Sequence, residues 1–139
     1  MPGAGNAPAS LTLVTFGAGT LRCAVEPYQV AALSLASLDA PRDDEGHALP
    51  ARHAGTLLGL PGPHIATGHQ LRMRHPAGLF ALDVGEPVAL RVFPPDAIHP
   101  LPPLLAARCR LPFLRALALD PTTGLILILD WIRLPWPLP

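Results

Sequence analysis

Five of the six histidines fall within 29 residues: His47, His53, His64, His69 and His75. Neutral imidazole is a common zinc ligand, and structural zinc sites use paired ligands at short spacing. His64 and His69, with four residues between them, meet that spacing. No cysteine supports them, because Cys23 and Cys109 are distant and neither lies in a CxxC pattern. The segment is also rich in proline and glycine. These histidines therefore read first as surface imidazoles, and no metal ligand is assigned. A metal-binding protein or metal-dependent enzyme built on residues 47–75 stands as the alternative.

Other chemistry finds little to work with. Ser10, Ser34 and Ser37 lie outside any Gly-x-Ser-x-Gly elbow. Asp83 and Asp130 fall next to strand ends and could form a carboxylate pair, but they read first as structural residues rather than as catalytic ones. Gly17-Ala-Gly19 lacks the helix start that would make it a phosphate cradle. No catalytic residue and no cofactor is expected, and the chain reads as a non-enzyme. Ten arginines balance ten acids, with no lysine, giving zero net charge with neutral histidines. That balance lacks the cationic footprint of a nucleic-acid binder. No run of about 18 apolar residues offers a membrane span, and no secretory signal opens the chain. A cytoplasmic location with two buried, reduced thiols is the expectation.

The elements that must position these residues are short. The 139 residues are 50% hydrophobic and include 19 prolines. Interior prolines break helices, and so high an apolar content argues against disorder. Leu11 to Phe16 and Thr20 to Val25, split by Gly17-Ala-Gly19, predict a β-hairpin. Val30 to Leu38 fits either a strand or a short helix. Asp39 to Gly46 holds five of the twenty charges and reads as a solvated connection. Ala54 to Leu58 predicts one or two helical turns, stopped by Gly59 and Pro61. Strands are expected at Gln70 to Arg74, Leu79 to Val84, Val88 to Phe93 and Phe113 to Leu119. The Gly85-Glu86-Pro87 sequence should separate the second from the third. Pro94 to Pro103 reads as an irregular connection. Leu125 to Leu129 is a continuous apolar run of the kind buried on both faces.

The chain also echoes itself. Gly19 to Val25 followed by Glu26-Pro27 resembles Gly78 to Val84 followed by Gly85-Glu86-Pro87, at an offset of 59 residues. Gly46 to Pro50 pairs similarly with Gly124 to Ile128. The pattern predicts an all-β fold of two small related β-barrel-like subdomains, with short antiparallel strands and at most one or two short helices. A flexible tail over 1–10, a domain over 11–134 with subdomains at about 11–61 and 69–134, and a Pro/Trp-rich tail over 135–139 complete the outline.

The ordered series of parts resembles the CheW-like domain of bacterial chemotaxis coupling proteins. The series comprises Leu79 to Val84, Val88 to Phe93, Ile98-His99-Pro100-Leu101-Pro102, Phe113 to Leu119, and Gly124 to Asp130 ending at Leu134. Gly46-His-Ala-Leu-Pro50 and Leu57-Leu-Gly59-Leu60 extend it into the first half. That half is divergent and shortened: Asp43-Asp44-Glu45-Gly46 stands where the family carries Asn-x-Arg-Gly. The resemblance implies a signal-transduction adaptor whose partners are a histidine kinase regulatory domain, a chemoreceptor or another CheW-like domain. A degenerate structural β-domain within a larger assembly is the further alternative. By position at the subdomain junction, Val30, Leu33, Phe80 and Val88 are the expected partner interface. Trp136 joins them, because tryptophan is a frequent binding hot spot and the prolines around it restrict the backbone in advance.

Overall fold

The computed structural model describes residues 10–35, 39–64 and 68–139. The expected N-terminal tail lies outside them except for Ser10, as do the last three residues of the 30–38 segment. Hairpin formation begins the chain: β1 (Leu11–Ala18) pairs antiparallel with β2 (Leu21–Val25), in the register Phe16↔Cys23 and Ala18↔Leu21. Gly19 takes φ of 60° in the turn, a left-handed conformation that glycine adopts without steric cost. A 3-10 turn at Pro27–Gln29 then leads into β3 (Val30–Leu35), which settles the strand-or-helix ambiguity in favour of strand. After β4 (Ala51–His53), α1 (Ala54–Leu57) makes a single helical turn. The His53 ring caps that turn by accepting the Gly55 amide at 3.0 Å.

The second half opens with another hairpin, β5 (His69–His75) and β6 (Gly78–Phe93). The expected interruption at Gly85-Glu86-Pro87 does not occur, and β6 runs unbroken for 16 residues. Proline is tolerated here because the β1–β6 register shifts between Thr15 and Gly17, where the ladder leaves residues unpaired. The same place is where β6 changes neighbours. Its first part pairs with β5, from Gly78↔His75 to Val84↔His69. Its second part pairs with β1, from Gly85↔Gly17 to Phe93↔Leu11. The two backbones approach so closely that a Cβ on Gly17 would sit 3.3 Å from the Gly85 backbone.

A 3-10 turn at Pro95–Ala97, β7 (Ile98–Pro100) and α2 (Pro103–Arg108) replace the expected irregular connection. Proline at the start of α2 needs no amide partner, so the proline-dense segment can still open a helix. β8 (Leu114–Asp120) and β9 (Gly124–Leu129) close the fold as a hairpin. Leu125 corrects the reading of β9 as buried on both faces, since it lies at the strand's exposed beginning and remains 49% accessible.

The strand order is β3-β5-β6-β1-β2-β9-β8-β7, with β4 beside β6. Most pairings are antiparallel, but β2–β9 and β4–β6 are parallel. The halves read from the sequence thus exchange strands: β2 of the first pairs with β9 of the second, and β6 of the second pairs with β4 of the first. A main core gathers Phe16, Cys23, Leu71, Met73, Phe80, Phe113 and Trp131 from both halves. A smaller cluster, with Leu13, Phe93 and Ile126, fills the space under the β6–β1–β2–β9–β8 sheet.

Candidate functional site

Where β6 leaves β5 for β1, the two sheet regions diverge and an apolar depression of about 290 Å³ opens between them. β3 contributes Val30 and Leu33, and β6 contributes Val88, Ala89 and Leu90. The buried side chains of Val14 and Leu71 lie beneath, and Pro27 lies at one end. An irregular register between Val30 and Ala32 explains why these two groove residues, three positions apart, line the same depression despite the strand's two-residue alternation. Among the described residues, no charged side chain lines the groove. Leu33 is 51% accessible and Leu90 67%, so the groove offers apolar area that is still in contact with water. Covering such side chains is favourable by roughly 25 cal/mol per Å².

Three of the five expected interface residues, Val30, Leu33 and Val88, are therefore neighbours in one groove. Phe80 is a correction: it is fully buried, with its ring edge-on to Trp131 at 5.5 Å, and no partner can reach it. Its place on the first part of β6 points it into the main core, because the alternation of that strand runs inward at Phe80, Leu82 and Val84. Trp136 lies apart from the groove. It is 37% accessible and stacks on His75 at 4.8 Å. The tail around it is tied down by its own chain: Leu138 is buried, and Arg52 donates to the Pro139 carbonyl at 2.9 Å. Leu90 and Ala89 were missed. They sit in an apolar strand segment whose exposed positions are set only by the change of pairing partner.

Polar contacts fasten the strands and turns that adjoin the groove. Arg22 of β2 donates to the Pro87 carbonyl at 2.9 Å and to the Glu86 carbonyl at 3.4 Å. Desolvation by its partial burial lowers the pKa of that guanidinium. Gln29, buried just before β3, donates to Asp130 at 3.1 Å and accepts the Trp131 amide at 3.1 Å. Asp130 also accepts the Ile132 amide at 3.1 Å. This ties the turn entering β3 to the chain leaving β9. Gln29 gave no signal in the sequence, because a glutamine beside proline and tyrosine reads as an exposed turn.

Asp83 and Asp130 each make structural hydrogen bonds: Asp130 accepts the Ile132 amide at 3.1 Å, and Asp83 accepts the Gln70 side-chain amide at 3.1 Å. Asp120, not singled out from the sequence, takes the amides of Thr122 and Thr123 and pairs with Arg91.

The histidines go separate ways. His47 faces Asp43 and Glu45 at 3.3 and 3.6 Å, on an exposed turn. His64 stacks on His53 at 4.9 Å and bonds the Leu60 carbonyl, whereas His69 lies 3.4 Å from Glu86. His75 reaches the Leu134 carbonyl at 2.7 Å. Among the described residues, no three His, Cys, Asp or Glu side chains converge as metal ligands would, so the zinc reading gains no support. The polar 39–46 segment is more ordered than a plain solvated connection. Asp43 accepts the His47 and Glu45 amides at 2.8 and 2.9 Å, and the His47 bond foremost lowers its carboxyl below the usual range. Of the thiols, Cys23 is buried as expected, and burial pushes it up to about 12. Cys109 corrects the expectation, since it sits only half-buried beyond α2. No helix among the described residues is long and apolar enough to cross a membrane.

No protein-family model matches the sequence, and no curated protein matches it. Among solved structures, the scaffolding protein TtCheW from Thermoanaerobacter tengcongensis superposes with a TM-score of 0.67. The match covers 88% of this chain and 90% of that one, at 12% sequence identity. At that identity the likeness speaks to the fold: this chain has the all-β CheW-like fold.

Proposed function

We propose that this protein is a non-enzymatic adaptor in signal transduction that binds its partner through the apolar groove between β3 and the second part of β6. The observation that carries the reading is the groove itself: Val30, Leu33, Val88 and Leu90 line it without a single charge, in a fold shared with a scaffolding protein. An uncharged groove suits an apolar helix face or extended segment, whose side chains replace water over the leucines. The partner class is a histidine kinase regulatory domain, a chemoreceptor or another CheW-like domain. Inside the groove specificity rests on shape, because its lining side chains are uncharged.

Binding of the purified chain to kinase regulatory and receptor cytoplasmic fragments, measured by calorimetry, tests the reading. A Leu33→Glu or Leu90→Glu substitution places a carboxylate in the groove at an exposed position and should abolish binding without unfolding the chain. Binding that survives both substitutions would remove the groove from the mechanism. Absence of binding to every such fragment would remove the adaptor function.

A further inference from the structure

The ten arginines differ in what they hold. Seven of them bond a carbonyl or pair with a carboxylate of this chain. Among the described residues, Arg108, Arg110 and Arg133 do neither, and all three are exposed. A cavity of about 580 Å³ opens between α2, the start of β8 and the 3-10 turn Trp131–Arg133. Arg133 lines it beside Arg115, and Arg108 and Arg110 flank Cys109, which lines it too. The rest of the wall is apolar, chiefly Leu101, Leu111 and Leu114. Among the described residues no carboxylate lines this cavity; Glu26 and Asp130 approach Arg115 from outside it, at 3.4 and 3.8 Å.

The helix beside the cavity lacks a packing partner. Ala106 of α2 lines the cavity, none of the six residues of α2 is buried, and Leu104 and Leu105 are 66% and 44% accessible. A helix this short is not held by its own hydrogen bonds and normally relies on a buried apolar face. The unpaired guanidiniums around it set the charge of what can cover it. A flat bilayer would bridge the concavity and leave its leucines in water. A nucleic-acid backbone would meet the arginines but has no apolar side chain to fill the space between them.

We propose that this face is a docking site for an acidic amphipathic segment of a partner protein. One apolar side chain of that segment enters the cavity against Leu101, Leu111 and Leu114, as anchor residues do at interfaces. Carboxylates beside it pair with Arg108, Arg110 and Arg133, since a guanidinium can bind both oxygens of a carboxylate at once. Leu104 and Leu105 of α2 lie against the segment's apolar face. The site shares no lining residue with the groove between β3 and β6, so it does not depend on the adaptor reading.

Calorimetry of the full chain with a synthetic peptide of leucines and glutamates in amphipathic order tests the proposal. The expected result is saturable binding that weakens as salt is raised, because the arginine–carboxylate pairs are exposed. Arg133→Ala should raise the dissociation constant about threefold, and joint replacement of Arg108, Arg110 and Arg133 by alanine about tenfold or more. Arg133→Lys, which keeps the charge, should change it less than Arg133→Ala. Leu104→Ser should also weaken binding, whereas Leu90→Glu in the groove should leave it unchanged. These side chains are exposed, so the variants should fold, as circular dichroism would verify; Arg133→Ala alone carries the test if the triple variant does not. No binding at millimolar peptide, equal binding of the matching leucine–lysine peptide, or an affinity insensitive to the arginine variants would overturn the proposal. Binding of phosphatidylglycerol vesicles in place of the peptide would make the face a membrane surface. Self-association of the chain that disappears with the three arginines would give the face to a second copy; either result overturns the proposal.

Discussion

Replacing Gln29 by leucine keeps the side-chain size and removes the amide that links the turn before β3 to the chain after β9. Two buried groups then lose their partners. The Trp131 backbone N–H loses its only acceptor in the linkage, and Asp130 loses a donor at 3.1 Å. An unsatisfied buried amide costs roughly 1–3 kcal/mol, and a lost bond to a charged group about 1.5–3 kcal/mol. The sum is about 2.5–6 kcal/mol, a large share of the roughly 5–15 kcal/mol typical of a domain. For a chain of this length the melting temperature should fall by about 10–20 °C. Asp130→Asn is the control: it keeps an oxygen for Gln29 and for the Ile132 amide and changes mainly the 3.8 Å approach of Arg115. Its cost should stay near 1 kcal/mol, as for a half-exposed ion pair. Urea unfolding of the three proteins measures both values. If Gln29→Leu costs less than about 1 kcal/mol, the linkage is dispensable and the polar reasoning fails.

Phe80→Ala should lose about 3–5 kcal/mol in the same assay, as a fully buried ring leaving a cavity, while Trp136→Ala should lose far less; equal losses would place Trp136 in the core. Cys109 should react with maleimide at pH 8 in the native chain while Cys23 reacts only on unfolding, since burial holds the Cys23 thiol protonated. The raised pKa also has a sign: the stability gained by burying a neutral thiol is complete below about pH 9 and lost as pH rises toward 12, so Cys23→Ala should flatten that alkaline decline. Gly17→Ala should destabilise more than Gly85→Ala, because the added Cβ meets backbone at 3.3 Å in the first case and 3.6 Å in the second; thermal melts that rank them oppositely would contradict the tight crossing of β1 and β6.

Much of the local structure was legible in the sequence. Alternation and turn glycines announced β1, β2, β5 and β8, and Gly19 and Gly124 take the positive φ that such turns require. The order of apolar segments was enough to suggest the CheW-like fold. Proline placement was less informative than it looked. Pro87 lies within β6, where a register irregularity removes the need for its missing N–H. Pro103 starts a helix, where that N–H is not needed.

What the sequence determined by itself is what depends on near neighbours: strands, turns, the all-β class and an internal echo at 59 residues. Tertiary structure alone decided which strands meet, because pairing joins residues far apart in the chain and no local pattern encodes the partner. The pairings of β1 and β4 with β6, of β2 with β9 and of β3 with β5 show that the two halves exchange strands. The same change of partner along β6 turns Phe80 inward and leaves Leu90 exposed, although both are apolar residues on one strand. The groove likewise exists only where that strand leaves β5 for β1.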